Sequence, residues 1–233
     1  MSTFVRKNLV FMWLTAISLF LGIIAAGQAA VERQITSFKE LDVQRINVRE
    51  PDGTLRMIIS NSATAPGLIF EGKEHEFPSR QAAGILFFND EGTENGGLLF
   101  GGAKKGKYVS SGGHLSFDQY EQDQVISLDQ TEDHGRRRAG LTFFERPTAP
   151  LPLELIDKLN TPEGDEEFNK LKEAGGFGYP RLFIGKTEGR DATVILRDAK
   201  GLARLKLSVT PLGAASIEFL DESGKVVRSI APK

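Results

Sequence analysis

One short pattern governs what this chain can fold into. Four times an apolar stretch runs into a turn that starts with Glu, Asn or Asp and ends three residues later in Gly. The copies are Glu50-Pro51-Asp52-Gly53, Asn89-Asp90-Glu91-Gly92, Asp198-Ala199-Lys200-Gly201 and Asp221-Glu222-Ser223-Gly224. Alternating apolar residues lead in, as in Ile46-Asn47-Val48, and lead out again, as in Leu55-Arg56-Met57. A carboxylate or amide at the first position can bond the turn backbone. A glycine at the last can take the positive φ that closes a hairpin loop of about three to five residues. Weaker strand-like stretches lie between the copies, at His114-Leu115-Ser116-Phe117, Val125-Ile126-Ser127-Leu128, Gly140-Leu141-Thr142-Phe143-Phe144 and Arg181-Leu182-Phe183-Ile184. The polar stretch Asp129 to Arg138 separates two of these. The pattern predicts an all-β domain over residues 45–233, with about ten to fourteen short antiparallel strands. Successive hairpins of similar length point to a propeller-like or rolled, barrel-type arrangement.

Pro147, Pro150 and Pro152 interrupt the strands. Thr161 before Pro162 reads as a helix start, a hydroxyl cap followed by proline at the first helical position. Glu163, Asp165, Glu166 and Glu167 suit the positive end of that helix, and Gly175-Gly176 stops it. One or two short helices are therefore expected at about residues 151–176, either covering an open sheet edge or serving as a lid or docking element.

At the amino terminus, Arg6 and Lys7 precede an uncharged run from Asn8 to Val31. At about 1.5 Å per helical residue, such a run is long enough for a hydrocarbon core of about 30 Å. Residues 1–33 read as a transmembrane anchor, because the run exceeds the usual signal-peptide core of about 7–15 residues, or as a cleavable signal ending near Gly27, Ala29 and Ala30. The two basic residues before it favour a cytoplasmic amino terminus. Residues 34–44 form a short linker, and the rest lies outside the cytoplasm. Residues 34–233 hold 26 Lys+Arg and 30 Asp+Glu, a net charge of -4, which gives no electrostatic basis for binding nucleic acid. There is no cysteine, so disulfides, thiolate metal sites and cysteine nucleophiles are excluded.

Little chemistry is signalled. His75, His114 and His134 are too far apart for a zinc motif, so no metal and no cofactor is expected. His75 reads as part of an exposed polar strand edge, facing away from Glu74 and Glu76. Asp118, Glu121 and Asp123 surround Tyr120. They read as solvated loop carboxylates, with an acid and base pair for glycan cleavage as the alternative. The run from Asn89 to Gly102 has five glycines in eleven residues and no phosphate-loop Lys-Ser or Lys-Thr. Its glycines either let strands pack closely or open a ligand surface, the candidate residues being Asn89, Asp90, Glu91, Glu94, Asn95 and His114. No Gly-x-Ser-x-Gly elbow is present.

Three stretches, Ile46-Asn47-Val48-Arg49-Glu50-Pro51-Asp52-Gly53, Gly84-Ile85-Leu86-Phe87-Phe88-Asn89-Asp90-Glu91-Gly92 and Gly113-His114-Leu115-Ser116-Phe117-Asp118, carry a resemblance. Over Arg45 to Phe144 the chain resembles a group of uncharacterised bacterial proteins with an amino-terminal hydrophobic segment and a hairpin-repeat domain. The resemblance implies no activity and carries no catalytic residue across. The sequence thus points to a membrane-tethered binding or interaction module without catalysis, its partner an envelope protein or glycan. An envelope glycan hydrolase and a purely structural envelope protein are the alternatives.

Overall fold

The computed structural model describes residues 36–77, 80–158 and 161–232, together with Trp13. The chain divides into two units, Met1–Asp42 and Val43–Lys233. In the first, residues 36–42 hold no helix or strand, and Trp13, Phe38 and Leu41 are exposed. Among the described residues no helix is long and apolar enough to cross a membrane. Apart from Trp13, the run 8–31 lies outside them.

The second unit is built from strands β1 (Arg45–Arg49), β2 (Leu55–Ser60), β3 (Leu68–Phe70), β4 (Lys73–His75), β5 (Ala83–Phe88), β6 (Glu94–Lys105) and β7 (Tyr108–Asp118). These continue into β8 (Gln124–Asp133), β9 (Arg136–Glu145), β10 (Tyr179–Lys186), β11 (Ala192–Arg197), β12 (Ala203–Val209), β13 (Ala215–Leu220) and β14 (Val226–Ile230). Twelve of them form one antiparallel sheet in the order β1-β2-β5-β6-β7-β8-β9-β10-β11-β12-β13-β14, and β3 and β4 make a separate hairpin. The all-β antiparallel expectation holds. The small separate sheets of a propeller do not form, and β1 and β14 remain edges, so no barrel closes. The reason lies in the short turns that join most neighbours: the outer strand of each hairpin still offers unpaired N–H and C=O groups, and the next strand folds back onto them, directly or, for β5 and β10, after a longer excursion.

The four turns are as the sequence predicts. Gly53, Gly92, Gly201 and Gly224 all have positive φ, from 75° to 97°. In the last two copies, Asp198 Oδ1 accepts from the N–H of Lys200 and Leu202 (3.0 Å each), and Asp221 Oδ1 accepts from Ser223 (2.9 Å) and Lys225 (3.0 Å). The polar stretch Asp129 to Arg138 is mostly strand, not a connecting loop. Its charges pair across β8 and β9, Glu132 with Arg137 at 2.8 Å and Asp133 with Arg136 at 2.7 Å. Cross-strand pairing of opposite charges lets a strand continue without apolar residues.

The register creates two unlike faces. On one, a single row of cross-strand partners runs through Ile46, Ile59, Ile85, Leu98, Leu115, Leu128, Leu141, Ile184, Val194, Leu207, Ile217 and Ile230, one aliphatic residue from every strand of the sheet. A parallel row on the same face passes through Met57, Phe87, Gly96, Phe117, Ile126, Phe143, Leu182, Leu196, Leu205 and Phe219, and ends at Arg228. About half of these side chains are exposed, Leu128 at 52% and Phe117 at 56% among them, and the rest are half-buried. The opposite face holds Ser116, Ser127 and Thr142, all buried. There the domain's own core lies, where Ile69 of the β3–β4 hairpin covers Leu55, Ile58, Leu86 and Phe88. A strand that alternates its side chains can thus be apolar on both faces at one end of the sheet and on only one face at the other.

Helix α1 (Leu153–Ile156) and helix α2 (Pro162–Glu173) form the predicted insertion. Thr161 Oγ1 accepts from Gly164 N–H at 3.1 Å, and Gly176 N–H donates to Leu171 C=O at 2.8 Å to end α2. Neither open edge is what the insertion is strapped to. Leu151 N–H donates to Glu121 C=O in the β7–β8 turn (2.8 Å), and the Gln119 side chain donates to Pro147 C=O (2.7 Å).

Candidate functional site

Three carboxylates that lie apart in the sequence meet below that insertion. Glu94 opens β6, Asp118 closes β7, and Asp123 ends the turn that follows. With Arg80, Thr93, Glu121, Gln122 and Leu151 they line a cavity of about 60 Å³. Arg80 grips Glu94 through two bonds, of 2.7 and 2.8 Å. Arg146, whose side chain is almost wholly buried, reaches Asp123 at 3.1 Å and donates to the carbonyls of Gln124 and Phe177 (2.6 Å each). Two cations therefore answer two of the three acids.

Asp118 is the third. Its Oδ1 is buried and has no hydrogen-bond partner among the described residues. Burial, then the charges of Glu94 and Asp123, push its pKa from 3.8 up to about 7, although Arg80 and His114 pull the other way. Glu94 is also raised, because burial outweighs the pull of Arg80. Asp118 thus holds its proton in mildly acidic water, where an exposed aspartate would have lost it. The expectation that these are solvated loop carboxylates is corrected for Asp118: the β3 strand and the insertion close over it. Glu121 keeps a backbone role as well, with φ at 53° in the turn.

The other expected ligand residues do not gather there. Asn89 shapes its own turn, its Oδ1 accepting from Glu91 (3.0 Å) and Thr93 (2.9 Å) N–H. Asp90 pairs with Arg56, and Glu91 accepts from the Tyr120 hydroxyl at 2.7 Å. Asn95 is the exposed extra residue of a bulge in β6, where Gly96 pairs with Phe87 and Glu94 with Phe88. The glycine-rich run is a strand from Glu94 onward, not a turn. Gly96 and Gly97 allow close packing there, since a Cβ would meet Ser116 O at 2.4 Å and the Leu86 side chain at 2.8 Å.

His114 stands apart on the polar face. Its Nδ1 lies 2.6 Å from Asp129 Oδ1, and that bond raises the imidazole pKa against the opposing effect of burial. Ser127 donates to the other Asp129 oxygen, so no serine is aligned on His114 through this carboxylate. With Leu99, Gly101, Gly112 and Gly113, His114 lines a shallow hollow of about 390 Å³. His75 is corrected from an exposed edge residue to a buried one, its Nδ1 2.6 Å from Asp157 at the end of α1. Among the described residues no three His, Asp or Glu side chains are placed to hold a metal ion. Known protein families include none that matches the chain, and no curated protein matches it.

Proposed function

We propose that the chain is a binding or interaction module without catalysis, tethered to a membrane by residues 1–33 with its sheet domain outside the cytoplasm, in a bacterial envelope. The observation that carries this reading is the open apolar face. Monomeric proteins rarely expose a contiguous apolar patch above a few hundred Å², and larger ones mark interaction sites. The glycan-hydrolase reading has the proton on Asp118 in its favour. Against it, about 60 Å³ is room for roughly two waters and no sugar ring.

The test uses the full chain, cross-linked in cells and then recovered. Leu128→Glu should abolish recovery of cross-linked partners, while Asp118→Asn with Asp123→Asn should leave it unchanged. The opposite pattern would end the interaction reading and promote the hydrolase. A periplasm-dependent reporter fused after Lys233 should be active, and an inactive one would refute the location.

A further inference from the structure

We infer that the apolar face is covered by a second copy of this chain, packed sheet on sheet as a symmetric pair. The inference rests on the interaction-module reading and names its partner. The first argument is area. About half of the side chains along the two apolar rows are 36–56% exposed, among them Phe87, Phe117, Leu128, Leu196 and Phe219, and the others are half-buried. At side-chain areas on the order of 150–200 Å², they leave about 1,000 Å² of apolar surface open. A stable dimer needs about 800 Å² from each partner. The face therefore suffices when most of its length is in contact.

The second argument is composition. Two rows across twelve strands contain one charge, Arg228, and it lies on the terminal strand. Rows with so little charge meet a copy of themselves with little like-charge repulsion, and two such sheets stack at about 10 Å with interdigitated side chains. The third argument excludes the main competitor. Same-face residues along a strand are about 6.7 Å apart, so two rows make a stripe on the order of 10–15 Å high, against about 25 Å for the apolar band of a membrane barrel. The next row on that face is broken: Phe100 and Val209 are apolar and exposed, but Gly113, Gln130, Ala139 and Lys186 between them are small or polar. The net charge of -4 after residue 33 also disfavours lying flat on an anionic lipid surface.

The absence of native cysteine permits a clean test. Two differently sized tagged forms of the full chain are co-expressed, each with one cysteine at Leu115, Leu128 or Leu141, and treated in cells with a short bis-maleimide. The expected product is a mixed dimer of the two tagged forms. A cysteine at Lys200 or Ser223, in exposed turns, should give none. Adding Ile184→Glu to the Leu128→Cys form should cut the dimer at least tenfold, since a buried unpaired charge costs that much or more. Circular dichroism of each variant checks that it is folded. Ladder cysteines that cross-link only to a different protein would overturn the second-copy inference and leave the interaction reading intact. Ladder cysteines that give no cross-link to any protein would overturn both. Cysteines protected from a water-soluble maleimide only by added phosphatidylethanolamine and phosphatidylglycerol vesicles would assign the face to lipid and overturn the inference as well.

Discussion

Asp118 shares its cavity with Glu94, Glu121 and Asp123, and the two arginines nearby engage Glu94 and Asp123. Its pKa rises from 3.8 in an open chain to about 7 in the fold. The folded state therefore binds more protons than the unfolded state between those values, so stability falls as pH rises from about 4 to about 7. Above that the penalty is constant, on the order of a few kcal/mol at most. Asp118→Asn removes the titration. We expect the variant to be the more stable protein at about pH 8, with the difference shrinking toward zero near pH 4, as read by thermal melts across pH. A wild-type advantage that grows with pH would refute the buried acid. The sequence marks Asp118, Glu121 and Asp123 as a cluster but gives no sign that Asp118 is buried. That burial is made by Leu68 and Phe70 of β3 and by Leu151, residues far away in the chain. Solvation of a side chain is a property of what folds over it, and local pattern holds none of that information.

The turns are the elements most legible in the sequence, because their chemistry is local. Seven turns share one bond pair, in which the first residue's N–H donates to the carbonyl four residues on and the fourth residue's N–H donates back to the first. Four are the Asx or Glu turns ending in glycine. A fifth starts at Gln119 and ends in Gln122 instead of glycine. The last two start at Thr187 and Thr210, where the threonine hydroxyl accepts from Asp191 N–H (3.2 Å) and Ala214 N–H (3.1 Å). A pattern that required an acid or amide at the first position passes over both. The Thr187 turn puts Arg190 at φ 72°, where the Thr210 turn and the four repeats have glycine. A side chain there costs about 1–2 kcal/mol, less what a glycine adds to unfolded-chain entropy. Arg190→Gly should thus raise stability by up to about 1 kcal/mol in urea unfolding. Gly201→Val should lower it by more than about 1 kcal/mol, because the residue has φ 76° and a Cβ would lie 3.0 Å from Tyr179. A neutral Gly201→Val would contradict the turn geometry.

For the whole molecule, the two faces of the sheet should respond differently to truncation. Ile58 is fully buried inside the domain, so Ile58→Ala should cost about 2–5 kcal/mol at any protein concentration. Leu128→Ala should cost little in a dilute monomer and more as copies pair. The thermal midpoint of the wild type should accordingly climb with concentration, and that of Leu128→Glu should not. The alternation that makes the apolar face is visible in each strand separately. Its continuity is not, because it depends on eleven registers all falling in phase, bulges included. Each strand of the sheet meets only the sheet strands just before and just after it, which makes the sheet a one-dimensional array. Such an array can be assembled from its amino end while the remainder of the chain is still being threaded out, and it pays little loop-closure entropy at any step. Length then becomes a free variable. Gain or loss of one hairpin at the β14 end would change the reach of the sheet by about 10 Å, two strands at about 4.8 Å each, and leave every earlier pairing as it was.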